Sequence, residues 1–179
     1  MSEIRRKVFI SHHKDDKGEL KKFIDTFDQE RKVFITRVLE ADMGQDIIDS
    51  DDTDYVMQRI KDLYLKDSTV TIVLIGKCTW ARRYVDWEIQ ASLRHGRTVT
   101  PNGLLGIVLP SAGKKPKPPE RLSMNLKDEN SDGYARWYWY PQRKDTLANC
   151  IEDAFQSRTS RADFIVNPRD RFKYNKTCP

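Results

Sequence analysis

The chain has 179 residues, 38% of them hydrophobic and 33% charged, enough apolar material for one ordinary core and too much for wholesale disorder. Lys and Arg number 32 against 27 Asp and Glu, and the net charge of +5 is spread along the chain, so basicity alone does not argue for nucleic acid as a partner. No apolar run is long enough to span a bilayer and no charged-then-apolar leader follows Met1, so a soluble cytoplasmic protein with no membrane contact is expected. Cys78, Cys150 and Cys178 are too few and too scattered for a zinc site, and their odd number without a leader makes reduced thiols the expectation.

Lys7 to Ser11 is a short apolar run that ends in the polar break His12 to Asp16, a first strand and the loop leaving its carboxyl end. From about Gly18 to Gln29, Leu20, Phe23, Ile24 and Phe27 share one helical face, and Lys32 to Thr36 repeats the strand pattern. Between Leu39 and Asp52 periodicity is lost; Val56, Ile60 and Leu63 then mark an amphipathic helix with Asp51 or Asp52 as its cap. It leads into Thr69 to Gly76, an almost unbroken β-branched and aliphatic run that suits a central strand covered on both faces. A helix starts near Trp80 or Ala81, with Ala81, Val85, Ile89 and Leu93 on one face and Gly96 as its stop. Leu104 to Leu109, ended by Pro110, is a fourth strand. The next loop is rich in Pro, Lys and Asp, and its basic part, Gly113 to Pro119, reads as a solvated proline-rich segment. Arg136 to Trp139 is a fifth strand, and Thr146 to Arg158 a closing helix.

Strands and helices alternate throughout, which predicts an α/β fold with a parallel sheet and helices on both faces. Residues 1–160 are read as a single domain and 161–179 as a tail that wraps or frays. Ligands of such sheets bind outside the carboxyl ends of the strands, near a topological switch point. Here those ends are Ser11-His12, the loop after Thr36, Gly76-Lys77 and Leu109-Pro110.

Glu88 is the conspicuous carboxylate of the chain. On a helix it falls about 60° from Val85, on the shoulder of the apolar stripe beside Tyr84 and Ala91, where a side chain is half buried. The bland account is a helix-surface Glu paired with Arg82 or Arg83.

Three segments in order, Val8 to His12, Leu74 to Gly76 and Val85 to Ile89, resemble the TIR-like domains of bacterial defence proteins, including the TIR-like subunits of Thoeris antiphage systems. The resemblance runs from about Lys7 to Pro110. It implies a flavodoxin-like three-layer sandwich around a parallel five-stranded sheet. In enzymatic members one Glu on the third helix cleaves the nicotinamide–ribose bond of NAD, and Glu88 stands at the matching place. The chain departs from signalling TIR domains, which carry an Arg-Asp and Pro-Gly pair after the second strand and a Phe-Trp near the end. It has Met43-Gly44-Gln45-Asp46 and neither pair, which moves it away from animal adaptors and toward the bacterial branch.

The implied chemistry is physically reasonable. Nicotinamide in NAD is already a cationic pyridinium and leaves without a general acid, so one carboxylate that opposes the oxocarbenium-like charge on the ribose suffices, with no metal and with NAD as substrate rather than redox cofactor. Water then gives ADP-ribose, and a nucleophile within the same molecule gives a cyclic product; a second messenger calls for the latter or a similar conjugate. Supporting residues follow from position. Ser11 and His12 lie at the strand mouth, where a hydroxyl or N–H meets phosphate or ribose. Phe9 sits in the first strand, with core packing as the competing role. Asp46, Asp49 and Ser50 lie in the loop flanking the TIR site, or are plain turn and cap residues. Trp80 and Trp87, with Tyr84 beside them, offer surfaces for stacking or simple packing, and Arg82 and Arg83 can neutralise pyrophosphate.

Other chemistries fare worse. Ser11, His12 and Asp15 are sequence neighbours that seldom converge as a triad, and no oxyanion motif accompanies them. Ser11 to Asp15 holds neither a P-loop nor a dinucleotide fingerprint, and the aspartates from Asp42 to Asp54 lack calcium-loop spacing. The leading expectation is therefore an NAD-cleaving defence enzyme whose nucleotide product reaches a separate effector. Its trigger would be a phage component, a partner subunit or self-association. The alternative is a non-catalytic interaction module in which Glu88 is structural.

Overall fold

A computed structural model describes residues 4–37 and 52–179. Five strands, β1 (Arg6–Ser11), β2 (Phe34–Arg37), β3 (Val70–Ile75), β4 (Gly103–Val108) and β5 (Arg136–Trp139), form one sheet in the order β2-β1-β3-β4-β5. Every pairing is parallel, with Ser11 level with Val73 and Val70 level with Gly103. The main helices are α1 (Lys17–Ile24), α2 (Thr53–Ile60), α3 (Arg83–Ser92), α4 (Glu120–Ser123) and α5 (Lys144–Ser160). This is the flavodoxin-like α/β fold, in which the chain leaves β1 toward β2 on one side and returns through β3 on the other.

Side chains of period two send alternate residues to opposite faces of the sheet. Val8, Ile10, Val70, Ile72, Leu74, Leu105 and Ile107 meet Leu20, Phe23 and Phe27 of the α1 arm and Leu147, Ile151 and Ala154 of α5. On the other face, Val73, Ile75, Leu104 and Val108 meet Val85, Ile89 and Leu93. Phe9 packs there too, with Val56, Met57, Ile60, Trp87 and Ala91. Burial on both faces explains why β3 and β4 read as continuous apolar runs. Among the described residues, no helix is long and apolar enough to cross a membrane.

The elements depart from expectation at their ends. The α1 arm widens into a π turn over Asp25–Glu30, which buries Asp28; its carboxylate accepts from Arg5 at 2.8 Å and from the Thr36 N–H at 3.0 Å. The cap of α2 is Asp52, one of the two residues expected there, and it accepts from the N–H groups of Asp54 and Tyr55. The helix bearing Glu88 starts later than Trp80 and stops before Gly96. Thr79 folds its hydroxyl back onto the Gly76 N–H at 2.8 Å and the Leu74 carbonyl at 3.1 Å, which makes a tight turn ahead of α3. At the other end the Asn102 N–H takes the Ser92 carbonyl at 2.8 Å, so the chain entering β4 caps the helix. The short helix α4 lies within the long loop before β5, where no helix was expected.

Gly103 lets α5 approach β4 directly, since a Cβ there would run into the carbonyl of Ala154. Gly103→Ala is expected to destabilise the fold by about 1–3 kcal/mol, the usual cost of overpacking against backbone, read as a lowered urea midpoint at unchanged m-value.

Candidate functional site

Ser11 is the last residue of β1 and Glu88 sits in the middle of α3, which follows β3. Because β1 and β3 are neighbours, the crevice between their carboxyl ends is the topological switch point, and α3 lies across it. Ser11, on the same face as Phe9, is wholly buried, and its hydroxyl donates to Glu88 Oε2. Glu88 is 7% exposed, far less than a helix shoulder predicts. Its side chain engages neither Arg82 nor Arg83.

The added burial comes from a second cover. Val85 through Ser92 are all buried, so α3 has no solvated face. Segment 161–179 wraps over the side turned away from the sheet. The Trp87 indole N–H donates to the Phe172 carbonyl at 2.9 Å, and Gln90 donates to the carbonyls of Pro168 and Arg169. Asn175 accepts from the Arg83 N–H at 3.0 Å, and the Lys176 N–H donates to the Ala81 carbonyl at 2.8 Å. Asp86, pointing outward from α3, forms a bidentate ion pair with Arg121 of α4 at 2.8 and 3.3 Å, buried at both ends. Arg121 also donates to the carbonyls of Pro168 and Asp170, and Asp86 accepts from the Phe172 N–H, so one charge pair fastens helix, loop and tail together.

A disulfide joins Cys78 in the loop after β3 to Cys178 in the tail, closing the strap; only Cys150 is a free thiol, and it is buried. This corrects the expectation of reduced thiols. The two cysteines stand 100 positions apart, and only the returning tail makes them neighbours. Beneath α3 a polar ladder fixes its height over the sheet. Asn102 donates to Thr71 at 3.2 Å, Thr71 shares a hydrogen bond of 2.7 Å with Ser92, and Ser92 donates to the Glu88 carbonyl at 2.8 Å.

Burial pushes the Glu88 carboxyl up to about 8, against a smaller downward pull from the Ser11 hydroxyl. Near neutrality burial therefore favours the protonated acid, and a cation beside Glu88 would favour the ionised form. His12, partly exposed at the strand mouth, is pushed down, chiefly by burial. His13 is also pushed down, by burial and then by the Arg82 charge, and is 2% exposed.

The expected site residues fall into three groups. Ser11 and Glu88 meet, with His12 following Ser11 out of the strand. Phe9 is fully buried in the core. Trp87 is 2% exposed, edge-on to Tyr84 with ring centroids 5.5 Å apart, so its stacking surface is taken up inside the protein. Arg83 lies over both of these rings and donates to the Tyr84 hydroxyl and the Lys173 carbonyl, a cluster that belongs to the tail contact. Trp80 carries Lys117 over its ring at 3.5 Å, so part of the proline-rich loop folds back onto it. Asp46, Asp49 and Ser50 lie outside the described residues. Asp86, Arg121 and His13 escaped the sequence reading. Asp86 stands inside the Val85 to Ile89 motif, but nothing in the sequence points to Arg121 as its partner.

A doubly wound parallel sheet, with a buried carboxyl on the third main helix facing the end of the first strand, defines a TIR-like α/β domain. A family model described as the TIR-like domain of Thoeris protein ThsB matches residues 9–114, more than half of the chain, and the chain belongs to that family. No curated protein matches it. Among solved structures, the crystal structure of the IL-17 receptor B SEFIR domain is similar, with a TM-score of 0.45 and 14% identity, over 86% of this chain and 97% of that one.

The raised Glu88 pKa sets a sign for stability. The folded state holds this proton more tightly than the unfolded chain, so the contribution is full below the ordinary value of 4.5 and is lost as pH rises through about 8. Wild type is expected to lose stability, on the order of a few kcal/mol, between pH 5 and pH 9 relative to Glu88→Gln; parallel urea titrations of the two proteins at both pH values check it. The disulfide has its own measurement. Denatured without reductant, the protein should expose one thiol to a chromogenic disulfide reagent, and three after reduction.

Proposed function

We propose that this protein breaks the nicotinamide–ribose bond of NAD, with Glu88 as the catalytic carboxylate and Ser11 as the residue that positions it. Its product, derived from ADP-ribose and cyclic, would act as a signal in antiphage defence. The observation that carries this reading is the buried Ser11–Glu88 pair at the switch-point crevice, where folds of this topology bind nucleotides. Membership of the Thoeris TIR-like family supports it. A carboxyl kept so far from water, with a single hydroxyl as its hydrogen-bond partner, is costly to hold, and a functional role accounts for that cost.

The chemistry follows from electrostatics. The C–N bond breaks with its electron pair leaving on the nicotinamide, which becomes neutral, while positive charge passes to the ribose C1 and ring oxygen. A carboxylate in a low-dielectric site opposes that charge strongly, and because α3 is fastened on both sides it need not reorganise as the charge grows. The cationic nicotinamide riboside also supplies the charge that draws the proton off Glu88 on binding. The oxocarbenium carbon then bonds to water, or to a nucleophile of the same molecule to close a ring. The released proton goes to solvent.

Wild type is expected to release nicotinamide from NAD, alone or with lysate of phage-infected cells, and folded Glu88→Gln to lose at least about a hundredfold in kcat. Mass spectrometry of the adenine-containing product distinguishes hydrolysis from ring closure. The kcat/KM profile should rise with pH through about 8, the value set by burial of Glu88 in the free protein. Ser11→Ala should move that limb upward, because the serine hydroxyl holds the pKa down. Absence of nicotinamide release under both conditions would sink the enzyme reading in favour of an interaction module.

A further inference from the structure

Two loops meet at the mouth of the Glu88 crevice. One leaves β1 through His13 and Asp16; the other leaves β3 through Gly76 and Thr79 to Arg82. They touch closely: a Cβ on Gly76 would run into the Asp16 carboxyl, and Thr79 lies 3.5 Å from Asp16 Oδ2. Each loop contributes one buried donor with nothing to bond. His13 Nδ1 accepts from the Asp15 N–H at 2.9 Å, which leaves the proton of the neutral ring on Nε2, and that atom is buried and has no partner among the described residues. The Nε–H of Arg82, the residue just before α3, is likewise buried and unpartnered. Burial is the main cause of the lowered His13 pKa and the Arg82 charge the next, which sets the two side chains near one another.

A buried unpartnered donor is costly to hold, and two of them on loops that touch at the edge of one crevice call for a shared acceptor. Both atoms donate and neither can accept. The guanidinium adds a full positive charge, so the acceptor they suit is an oxyanion. The two loops carry these atoms from the ends of the two strands that flank the switch point, and the adjoining residues Ser11 and Arg83 belong to the Glu88 pair and to its helix.

We propose that His13 Nε2 and Arg82 Nε form an oxyanion site that holds a phosphate group of a nucleotide pyrophosphate while the ribose lies against Glu88. The assignment to a pyrophosphate rests on the NAD-cleaving reading; the oxyanion site does not. It selects Arg82 over Arg83, whose guanidinium serves the tail, and His13 over the more exposed His12. These are binding residues, so their removal weakens capture and leaves the bond-breaking step largely intact.

The experiment titrates the full chain with inorganic pyrophosphate, ADP-ribose and adenosine, following heat and the imidazole ¹⁵N resonances. His13→Asn is the main variant, because its side-chain oxygen can still accept from the Asp15 N–H while the Nε2–H is gone. Arg82→Met removes the other donor, and Arg82→Lys restores its charge without the Nε–H. Melting curves confirm that each variant is folded. Pyrophosphate and ADP-ribose should bind wild type and shift His13 Nε2, and both should weaken at least tenfold in His13→Asn and Arg82→Met, with adenosine unchanged. In turnover, the KM for NAD should rise tenfold or more with kcat changed less than threefold. The proposal is overturned if the two variants bind pyrophosphate and ADP-ribose like wild type, if His13 Nε2 does not move on binding, or if NAD turnover keeps its KM; the donors then serve an ordered water only. If wild type binds pyrophosphate through both residues and never cleaves NAD, the oxyanion site stands and the NAD reading falls.

Discussion

The hydrogen bond from Ser11 to Glu88 depends on a constraint that runs through the whole molecule. A carboxyl can be held at the switch point only if the helix that bears it is kept against the ends of β1 and β3 and shut away from water. The apolar stripe of Val85, Ile89 and Leu93 supplies the attraction to the sheet, and the Asn102–Thr71–Ser92 ladder sets the height of the helix over it. Neither would bury Glu88 by itself, because an α3 packed on one side only would leave the shoulder of its stripe wet.

The outer cover closes that shoulder. Arg121 and Asp86 form an ion pair that neither could hold alone, since a single uncompensated charge at that depth costs several kcal/mol. Their remaining donor and acceptor capacity goes to the tail backbone at Pro168, Asp170 and Phe172, so the charge is spread over three pieces of chain. The Cys78–Cys178 disulfide ties the end of the strap to the loop after β3, a few residues before the helix begins. Positioning of Glu88 is thus shared between the sheet beneath α3 and the segment 161–179.

The same burial decides the electrostatics. Burial favours the acid form of Glu88, because among the described residues a carboxylate there has little besides the Ser11 hydroxyl to solvate it. On the NAD-cleaving reading, a ligand that carries its own positive charge would change that balance as it enters, so that proton release, substrate capture and activation of the carboxylate would be one event. The oxyanion site would work with opposite sign on the other end of such a ligand, and a dinucleotide with a cationic ring and an anionic pyrophosphate offers both charges on one molecule.

How much of this was legible in the residues varies from element to element. The period-two apolar runs of Lys7–Ser11 and Thr69–Gly76 and the 3.6-period stripe of Val85, Ile89 and Leu93 are local patterns, and each names its own element because burial on a sheet or helix face repeats at the spacing of that element. Glu88 could be singled out for the same reason, as a carboxylate on the shoulder of a known stripe within a recognisable motif. Tertiary structure decided the rest. Trp87 was turned into the core, Cys78 was brought to Cys178, Arg121 to Asp86, and His13 was placed beside Arg82. Each of these pairings joins residues tens of positions apart, set by how the tail and the loops close over the sheet, and no local periodicity records a contact of that range.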